Sequence, residues 1–399
     1  MTWPWKRKAG RRIAISAVRK VMRRIGLAIL VTTLLVCGFA DWFVHHPREW
    51  IEAKSDSWPR FVVSALLRIG NPVGDMTDAI GFTGSDAIVE VESAAPSGKV
   101  FFAGAPRRVG EPAPDDITII DRGDFVVGWS PRLRHPVWCA YHVPAKARFE
   151  VGPRPGFRQD EKVPRCPTPG EYTRTNYDRG HMAPNHAIAS RFGPEAQTNS
   201  FLMTNISPQT PPLNRGVWRE VEHRIADLWT AKWGEVWVIV GAISEGCERL
   251  SGSDVDVPTS FYHVVVAQDG RKVRALAMLF EQEVPWKAWP ARYIVSIDEL
   301  ERRTGLDFLP DMEDAAEESL ESALPSRLWP IKLLDVVAMF RTHYYNPQQQ
   351  WQSSSKERRK NGKQRYGADE DEQKAVSRRS RGGNNRRGRR GEASGRQGK

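Results

Sequence analysis

The sequence predicts an α+β fold, because short strand-like runs are grouped around one long helix instead of alternating regularly with helices. The runs are rich in β-branched and aromatic residues, which favour strands. The helix is indicated by Val217, Val221, Ile225 and Leu228, whose spacings of four, four and three place them on one face. Gly234 follows as the residue that ends it. The chain contains no glycine-rich phosphate-binding loop.

The predicted elements follow one another in a simple order. The first three strands are followed by a loop over 154–172 that is rich in Pro and Gly, and a short apolar strand then precedes the long helix. Three further strands come next, and Gly305 ends a short helix after them. The last element is an acidic helix that we expect to face solvent. The predicted strands are 117–120, 125–129, 137–143, 201–206, 236–243, 261–267 and 273–280, and the predicted helices are 213–233, 297–304 and 311–323.

The positive charge of the chain is confined to its two ends. The 399 residues carry a net charge of +11. Residues 1–24 contain nine Lys and Arg and no acid, and residues 352–399 contain sixteen Lys and Arg and six acids, so the segment between them has a net charge of −8. This distribution excludes a domain that is basic throughout. Phosphate chemistry in the body would therefore need locally placed cations or a metal ion.

The N-terminus has the pattern of a membrane-targeting segment. The basic residues 1–24 precede an apolar segment over 25–44, close to the ~20 residues that span a bilayer, and Trp42 and Phe43 suit the bilayer interface. We expect an uncleaved signal anchor with a cytoplasmic N-terminus and a translocated body. The alternatives are cleavage after Ala40, or a mitochondrial-type presequence followed by an anchor.

Three further segments flank the predicted catalytic body at 97–310. Residues 45–96 are expected to be a membrane-proximal connector, and residues 311–347 a helical extension. Residues 348–399 form a low-complexity tail that is rich in Arg and Gly, and we expect it to be disordered. The tail is either an arm that binds polyanions through their phosphates or a solvated segment that helps solubility or contacts anionic lipid.

The four cysteines do not form a recognisable framework. Cys37 lies in the apolar N-terminal run, which leaves Cys139, Cys166 and Cys247 and at most one internal disulfide. Three buried thiols are an equally good interpretation. Cysteine usage therefore does not decide the redox compartment.

A dense polar cluster lies at 177–186, in Tyr177-Asp-Arg-Gly-His-Met-Ala-Pro-Asn-His186. Its histidines can act as general bases on water, and its arginine can neutralise charge on a phosphate. An Asn at the start of the long helix can ligate a hard divalent cation. These residues suit phosphodiester hydrolysis, although a polar structural turn would have the same composition.

The segment 178–184 resembles the DRGH signature of the DNA/RNA non-specific endonucleases, which are ββα-metal nucleases that include mitochondrial endonuclease G. The resemblance extends over about 100–310 with the motifs in the family's order. It implies an α+β, ββα-metal (His-Me finger) fold with a central antiparallel sheet flanked by helices. The further matching segments are 125–129, 138–141, 154–157, 205–209, 214–218, 238–242 and 304–307.

The resemblance implies a role for each matching residue. His181 would be the general base that activates water, and Asn214 would be the single direct protein ligand of Mg²⁺ or Mn²⁺. Glu222 would hold a metal-bound water. Asn205 would orient the active-site groups, and Arg179 would stabilise the charged phosphate.

Two positions are less closely determined by the resemblance. Asp178 is implied to support the motif structurally. The family's second arginine lies upstream, where Arg154 is the best candidate and Arg158 an alternative. His186 could be a further ligand but falls outside the family's catalytic set.

Together these features predict a membrane-anchored, metal-dependent endonuclease that cuts DNA and RNA with little sequence preference. The catalytic domain would be extracytoplasmic, in a bacterial inner membrane or periplasm, and a secreted or mitochondrial location is the alternative. DNA, RNA, the membrane and a second copy of the chain are the candidate partners. The rival interpretation is a non-catalytic nucleic-acid-binding membrane protein on a decayed nuclease fold.

Overall fold

The computed structural model describes residues 31–39, 86–91, 98–109, 117–246, 248–286 and 288–331. Residues 31–39, inside the predicted anchor, are helical. Among the described helices, none has the length and apolar character that a membrane span requires. The basic N-terminus, most of the anchor and connector, and the tail lie outside the described residues.

The centre of the fold is an antiparallel sheet. The described strands are β1 (Ala87–Glu90), β2 (Arg107–Arg108), β3 (Thr118–Asp121), β4 (Phe125–Ser130), β5 (His135–Val143), β6 (Asp178–His181), β7 (Ile206–Gln209), β8 (Val236–Ile243), β9 (Ser260–Asp269), β10 (Lys272–Glu281), β11 (Ile294–Val295) and β12 (Leu306–Asp307). Along the sheet the order is β1, β10, β9, β8, β5, β4, β3, and β11 also pairs with β10. Two further pairs lie off this sheet, β2 with β12 and β6 with β7.

The helices cover both faces of this sheet. They are α1 (Asn185–Phe192), α2 (Pro194–Ser200), α3, α4 (Ile297–Thr304) and α5 (Asp314–Glu321), where α3 comprises Leu213–Val217, Trp218–His223, Arg224–Trp229 and Thr230–Trp233 in succession. On one face, Leu300 of α4 and Leu320 of α5 join the alternate strand residues in one core. On the other, Trp218 of α3 packs edge-on against Phe261 and Phe280. Every residue of β8 is therefore buried.

Helix α3 is irregular at its start and again further along. Two of its segments, Leu213–Val217 and Arg224–Trp229, have the wider π-helical turn. Gly216 has non-helical backbone angles of φ −103° and ψ −113°, so the helix is kinked two residues after Asn214. Such irregular turns are often found at functional sites.

The strands β6 and β7 and the helix α3 together form a ββα unit. Strand β6 pairs with β7 in antiparallel register, from Asp178 opposite Gln209 to His181 opposite Ile206. Helices α1 and α2 lie between the two strands in sequence, and α3 begins soon after β7. This unit, with a central antiparallel sheet and flanking helices, is the fold that the resemblance implies.

Most predicted elements are present with ends that differ by a few residues. The strand predicted at 201–206 is wrong: Met203–Asn205 is a 3₁₀ turn, and the strand begins at Ile206. The sheet also includes β1, which lies before residue 97, in the segment that was expected to be a connector. The acidic helix α5, which was expected to face solvent, packs into the domain core through Ala316 and Leu320. Cys139 and Cys166 are free thiols, and both are buried.

Candidate active site

Strand β6 sorts the residues of the DRGH motif onto two faces. Side chains alternate along a strand, so Arg179 and His181 share one face and Asp178 lies on the other. The His181 ring lies between two aromatic rings, with centroid distances of 5.4 Å to Phe157 and 4.7 Å to Phe201. Its Nε2 is buried and makes no hydrogen bond to the described part of the chain. The imidazole therefore occupies a largely apolar environment.

This environment determines the charge state of His181. Burial, followed by the positive charge of Arg154, lowers the pKa of His181 to about 3. The imidazole is thus neutral at physiological pH. A neutral imidazole has a lone pair that can accept a proton from water.

Arg179 lies next to His181 over the same aromatic ring. Its guanidinium carbon is 5.5 Å from the Phe157 centroid and 6.0 Å from that of Tyr172. The guanidinium donates to the Pro169 carbonyl, at 3.2 Å from Nε, and to the Thr173 hydroxyl at 2.9 Å. These contacts hold the cation at the edge of the loop that precedes β6.

On the opposite face, Asp178 joins β6 to the start of α3. Its carboxylate accepts a 3.1 Å hydrogen bond from Asn214 Nδ2 and a 2.6 Å bond from Arg215 Nε. A second nitrogen of Arg215 bonds the other carboxylate oxygen, so the pairing is bidentate. Because the side-chain nitrogen of Asn214 donates to Asp178, the side-chain oxygen of Asn214 points away from Asp178. This oxygen accepts no hydrogen bond from the described residues.

Asn205 is fully buried and contacts only backbone groups. Its Oδ1 accepts from the Ala183 amide at 2.8 Å, and its Nδ2 donates to the carbonyls of Ala183 and Ser200, both at 2.9 Å. Its own backbone carbonyl accepts from Met182 at 2.9 Å. Asn205 therefore fixes the chain directly after His181, and both N–H donors of its side chain are used within the protein.

Glu222 lies on α3 in an environment that disfavours its charge. Burial raises the pKa of Glu222 to about 8, and the positive charges of Arg154 and Arg219 partly oppose that rise. The Tyr141 hydroxyl is buried near it, and both its burial and the charge of Glu222 raise the pKa of this phenol. A cation at this position would restore the charged form of the carboxylate.

Arg154 connects the two halves of the site electrostatically. Its side chain is exposed, and its charge acts on both His181 and Glu222. Of the two arginines that the resemblance left open, it is therefore the one favoured over Arg158. The charge of Arg154 thus links it to His181 and Glu222, and a hydrogen bond links Asp178 to Asn214.

His186 belongs to a different group of residues. Its Nε2 lies 3.1 Å from both carboxylate oxygens of Asp227, and His223 Nδ1 lies 2.9 Å from one of them. Burial raises the pKa of Asp227, but the hydrogen bonds to the two histidines outweigh it and hold this pKa well below its usual range. These contacts join α1 to α3. They also hold the half-buried His223 against Asp227.

Sequence reasoning missed the aromatic residues that surround the His181 imidazole. Phe157 lies in a matching segment, and Phe201 was assigned to an apolar strand, but neither was expected to contact His181. An apolar residue within a polar motif segment is the signal that could have identified Phe157.

Comparison with known proteins gives one consistent result. The family model described as DNA/RNA non-specific endonuclease matches residues 104–315. A nuclease from Nostoc sp. is 31% identical over 225 residues, which cover 52% of this chain and 79% of the relative. The mitochondrial nuclease EXOG of Danio rerio is 30% identical over 209 residues, which cover 48% of this chain and 60% of the relative. A crystal structure of an EndoG/EndoGI complex aligns with a TM-score of 0.45 at 24% identity, over 51% of this chain and 89% of that one.

Proposed function

We propose that this chain, which belongs to the DNA/RNA non-specific endonuclease family, hydrolyses phosphodiester bonds of both nucleic acids with His181 as the general base and a divalent cation held by Asn214. The observation that carries the proposal is the hydrogen bond from Asn214 to Asp178, because it attaches the ligand residue to the strand that bears the base.

The residues present are suited to a hard cation such as Mg²⁺ or Mn²⁺. Such ions prefer oxygen ligands and retain several waters. The Asn214 amide oxygen has no partner among the described residues, and Glu222 offers a carboxylate that could hold a coordinated water. When bound, the cation would neutralise charge that develops on the phosphate.

The role of His181 is to remove a proton from the attacking water. Its lowered pKa keeps the ring unprotonated, and the Phe157 and Phe201 rings fix its orientation. Proton transfer by a positioned base contributes about 10²–10⁴-fold to a rate. Asn205 is a positioning residue in this scheme, because it holds the backbone after His181.

The two arginines would bind the phosphate. Arg154 is exposed and lies close enough to act on both His181 and Glu222. Arg179 is oriented by Pro169 and Thr173 beside His181. Contacts to phosphates carry no sequence information, so low sequence preference follows.

The test is digestion of plasmid DNA and of a structured RNA by the purified chain. We expect cleavage with Mg²⁺, none with EDTA, and a loss of at least about 100-fold in His181→Ala and Asn214→Ala. Glu161→Gln, an exposed change in the preceding loop, is the control and should retain activity. Binding without cleavage by the wild-type chain would instead support the decayed-fold alternative. Cleavage of a phosphomonoester would indicate a phosphatase.

The location of the enzyme is a separate proposal. The basic segment 1–24 and the apolar segment 25–44 support a signal anchor, with a secreted or mitochondrial location as the alternative. EXOG and endonuclease G carry mitochondrial names, which fits that alternative. Reporter fusions at residue 60 and at the C-terminus distinguish these locations. Light scattering tests whether a second copy of the chain is a partner.

A further inference from the structure

Three carboxylates converge where helices α4 and α5 meet, in a group outside the active-site residues described above. Asp298 and Glu301 lie one turn apart on α4, and Glu321 is the last residue of α5. One oxygen from each lies within 4.8 Å of the other two. Like charges at this spacing repel one another, so the arrangement requires either a compensating cation or bound protons.

Glu321 is the feature that distinguishes this group from an ordinary acidic surface. It is only 7% exposed, and its Oε1 is buried and makes no hydrogen bond to the described residues. A buried carboxylate oxygen without a partner is costly, and native proteins rarely leave one unsatisfied. This oxygen therefore needs a partner, and the described protein groups do not supply one.

The cations of α4 do not compensate the group. Arg302 pairs with Glu299 at 2.7 Å, and Arg303 pairs with Glu245 at 2.6 Å. Within the described ranges, Asp298, Glu301 and Glu321 form no ion pair.

The surroundings add more negative charge than positive. Asp307 and Glu317 act on both Glu301 and Glu321, while Arg107 is the cation that acts on Asp307 and Glu317. The Phe308 amide donates a 2.9 Å hydrogen bond to Glu301. Among the described residues, this is the only backbone hydrogen bond to any of the three carboxylates.

We propose that Asp298, Glu301 and Glu321 bind a divalent cation of the size of Ca²⁺, and that this ion fastens α5 to α4. Ca²⁺ takes oxygen ligands at about 2.3–2.6 Å in a flexible geometry, which suits three carboxylates that come from two helices. Mg²⁺ requires near-ideal octahedral geometry and gives up its waters reluctantly, so this group of carboxylates suits it less well. Asp298 is exposed, so water can reach the ion and complete its coordination.

The alternative is that the carboxylates share protons. Burial, followed by the neighbouring acids, raises the pKa of Glu321 to about 9, and burial with the same neighbours raises the pKa of Glu301 to about 7. Protons would relieve the repulsion without any ion. The two explanations differ in whether Ca²⁺ changes the stability of the protein at neutral pH.

The experiment measures Ca²⁺ binding by calorimetry and the melting temperature in CaCl₂ and in EDTA. It uses the full chain carrying Asn214→Ala, which removes the proposed active-site ligand. We expect one Ca²⁺ per chain and a rise in Tm of about 5–10 °C at 100 times the Kd. MgCl₂ at the same concentration should give a smaller rise.

Glu321→Gln in the same background should lose the rise in Tm with Ca²⁺ and melt higher than its parent in EDTA, because it removes a carboxyl group that is costly to bury among other acids. Asp298→Asn, at an exposed position, is a second variant that should weaken Ca²⁺ binding by about tenfold or more. Glu318→Gln, an exposed acid on the same helix, is the control and should respond like the parent. No rise in the parent, or an equal rise in Glu321→Gln, would overturn the proposal. Loss of nuclease activity in Asn214→Ala tests the proposed function separately.

Discussion

The side-chain nitrogen of Asn214 donates a 3.1 Å hydrogen bond to Asp178, which begins the strand that carries His181. The same carboxylate binds Arg215 in a bidentate pair. One acid on β6 thus fixes two consecutive residues at the kinked start of α3. Because an amide rotates as a unit, holding its nitrogen also fixes the direction of its oxygen. This relationship couples the proposed metal ligand to the proposed base.

Asp178→Asn should therefore weaken the response to metal. The variant retains the shape of the side chain but loses the charge that binds Arg215, and it can no longer hold the Asn214 amide in a single orientation. We expect the Mg²⁺ concentration at half-maximal activity to rise about 10–100-fold, as for other residues that orient metal ligands. Activity measured against Mg²⁺ concentration tests this, with Glu161→Gln as the control. An unchanged Mg²⁺ dependence would contradict the orienting role.

Asn205→Ala should affect stability and activity together. The substitution leaves the Ala183 amide and the carbonyls of Ala183 and Ser200 without their buried partner. Each such group costs about 1–3 kcal/mol, so we expect a clear loss in the free energy of unfolding. At temperatures where the variant remains folded, kcat should fall more than KM rises. Urea unfolding and kinetics on one preparation measure both quantities. A variant of wild-type stability and activity would exclude the positioning role.

The sequence predicted the main sheet from continuous apolar and β-branched runs, and the long helix from apolar residues at helical spacing. The eight residues of β8 are apolar or Gly and all buried, and α3 shows its heptad-like spacing in spite of its π turns. Strand β6 was not predicted, since Asp-Arg-Gly-His has no apolar alternation and is held in a strand by its pairing with β7. The opposite error occurred at Phe201 and Met203, whose apolar side chains are buried in a turn.

The candidate site was predicted as a set of residues but not as an arrangement. The motif identifies His181 and Asn214, yet no local pattern states that Phe157 and Phe201 enclose the imidazole. Those contacts join residues that are 20 or more positions apart, and they depend on how α1, α2 and β7 pack. Asp178 was assigned a structural role, and its hydrogen bonds give that assignment a physical basis.

Gly180 has no room for a larger residue. A Cβ there would lie 2.7 Å from Cγ of Gln209 and overlap the end of that side chain. Gly180→Ala should therefore destabilise the protein by about 1–3 kcal/mol and reduce activity by displacing His181. Gln209 is fully buried, and its amide makes no hydrogen bond to the described residues. Replacing Gln209 by a residue with a shorter side chain should therefore relieve the overlap with a Cβ at position 180.

A double-mutant cycle tests this contact. Gly180→Ala combined with Gln209→Ala should be more stable than the sum of the two single effects predicts, by about 1 kcal/mol or more. Gly246→Ala is the matched control, because the nearest side-chain atom to its new Cβ would be 3.5 Å away. Additive effects in the cycle would show that the overlap is absorbed elsewhere.

The imidazole of His181, whose Nε2 is buried, should make stability depend on pH. The folded pKa is about 3, whereas an unfolded histidine has a pKa of about 6.5. Between these values the unfolded chain binds a proton that the folded chain does not, so stability is full above about pH 6.5 and falls as the pH is lowered towards 3. His181→Gln should reduce this loss. Urea unfolding at pH 7 and pH 5 measures it, and equal losses in both proteins would contradict the assignment.

NMR titration of the His181 ring is a direct measurement of the same effect. Arg154→Gln should raise the pKa of His181 but leave it below 6.5, because burial is the larger cause and is unchanged.

Removal of residues 352–399 should weaken the capture of nucleic acid and spare the chemical step. The segment carries sixteen of the 59 Lys and Arg and only six acids, whereas the body between the two basic ends is acidic. Cations that contact phosphates release counterions, so their removal lowers affinity and flattens its dependence on salt. We expect KM to rise about tenfold at low salt with kcat unchanged. A chain in which the tail arginines are replaced by serine is the control for length. If KM is unaffected in both proteins, the tail has no part in binding the substrate.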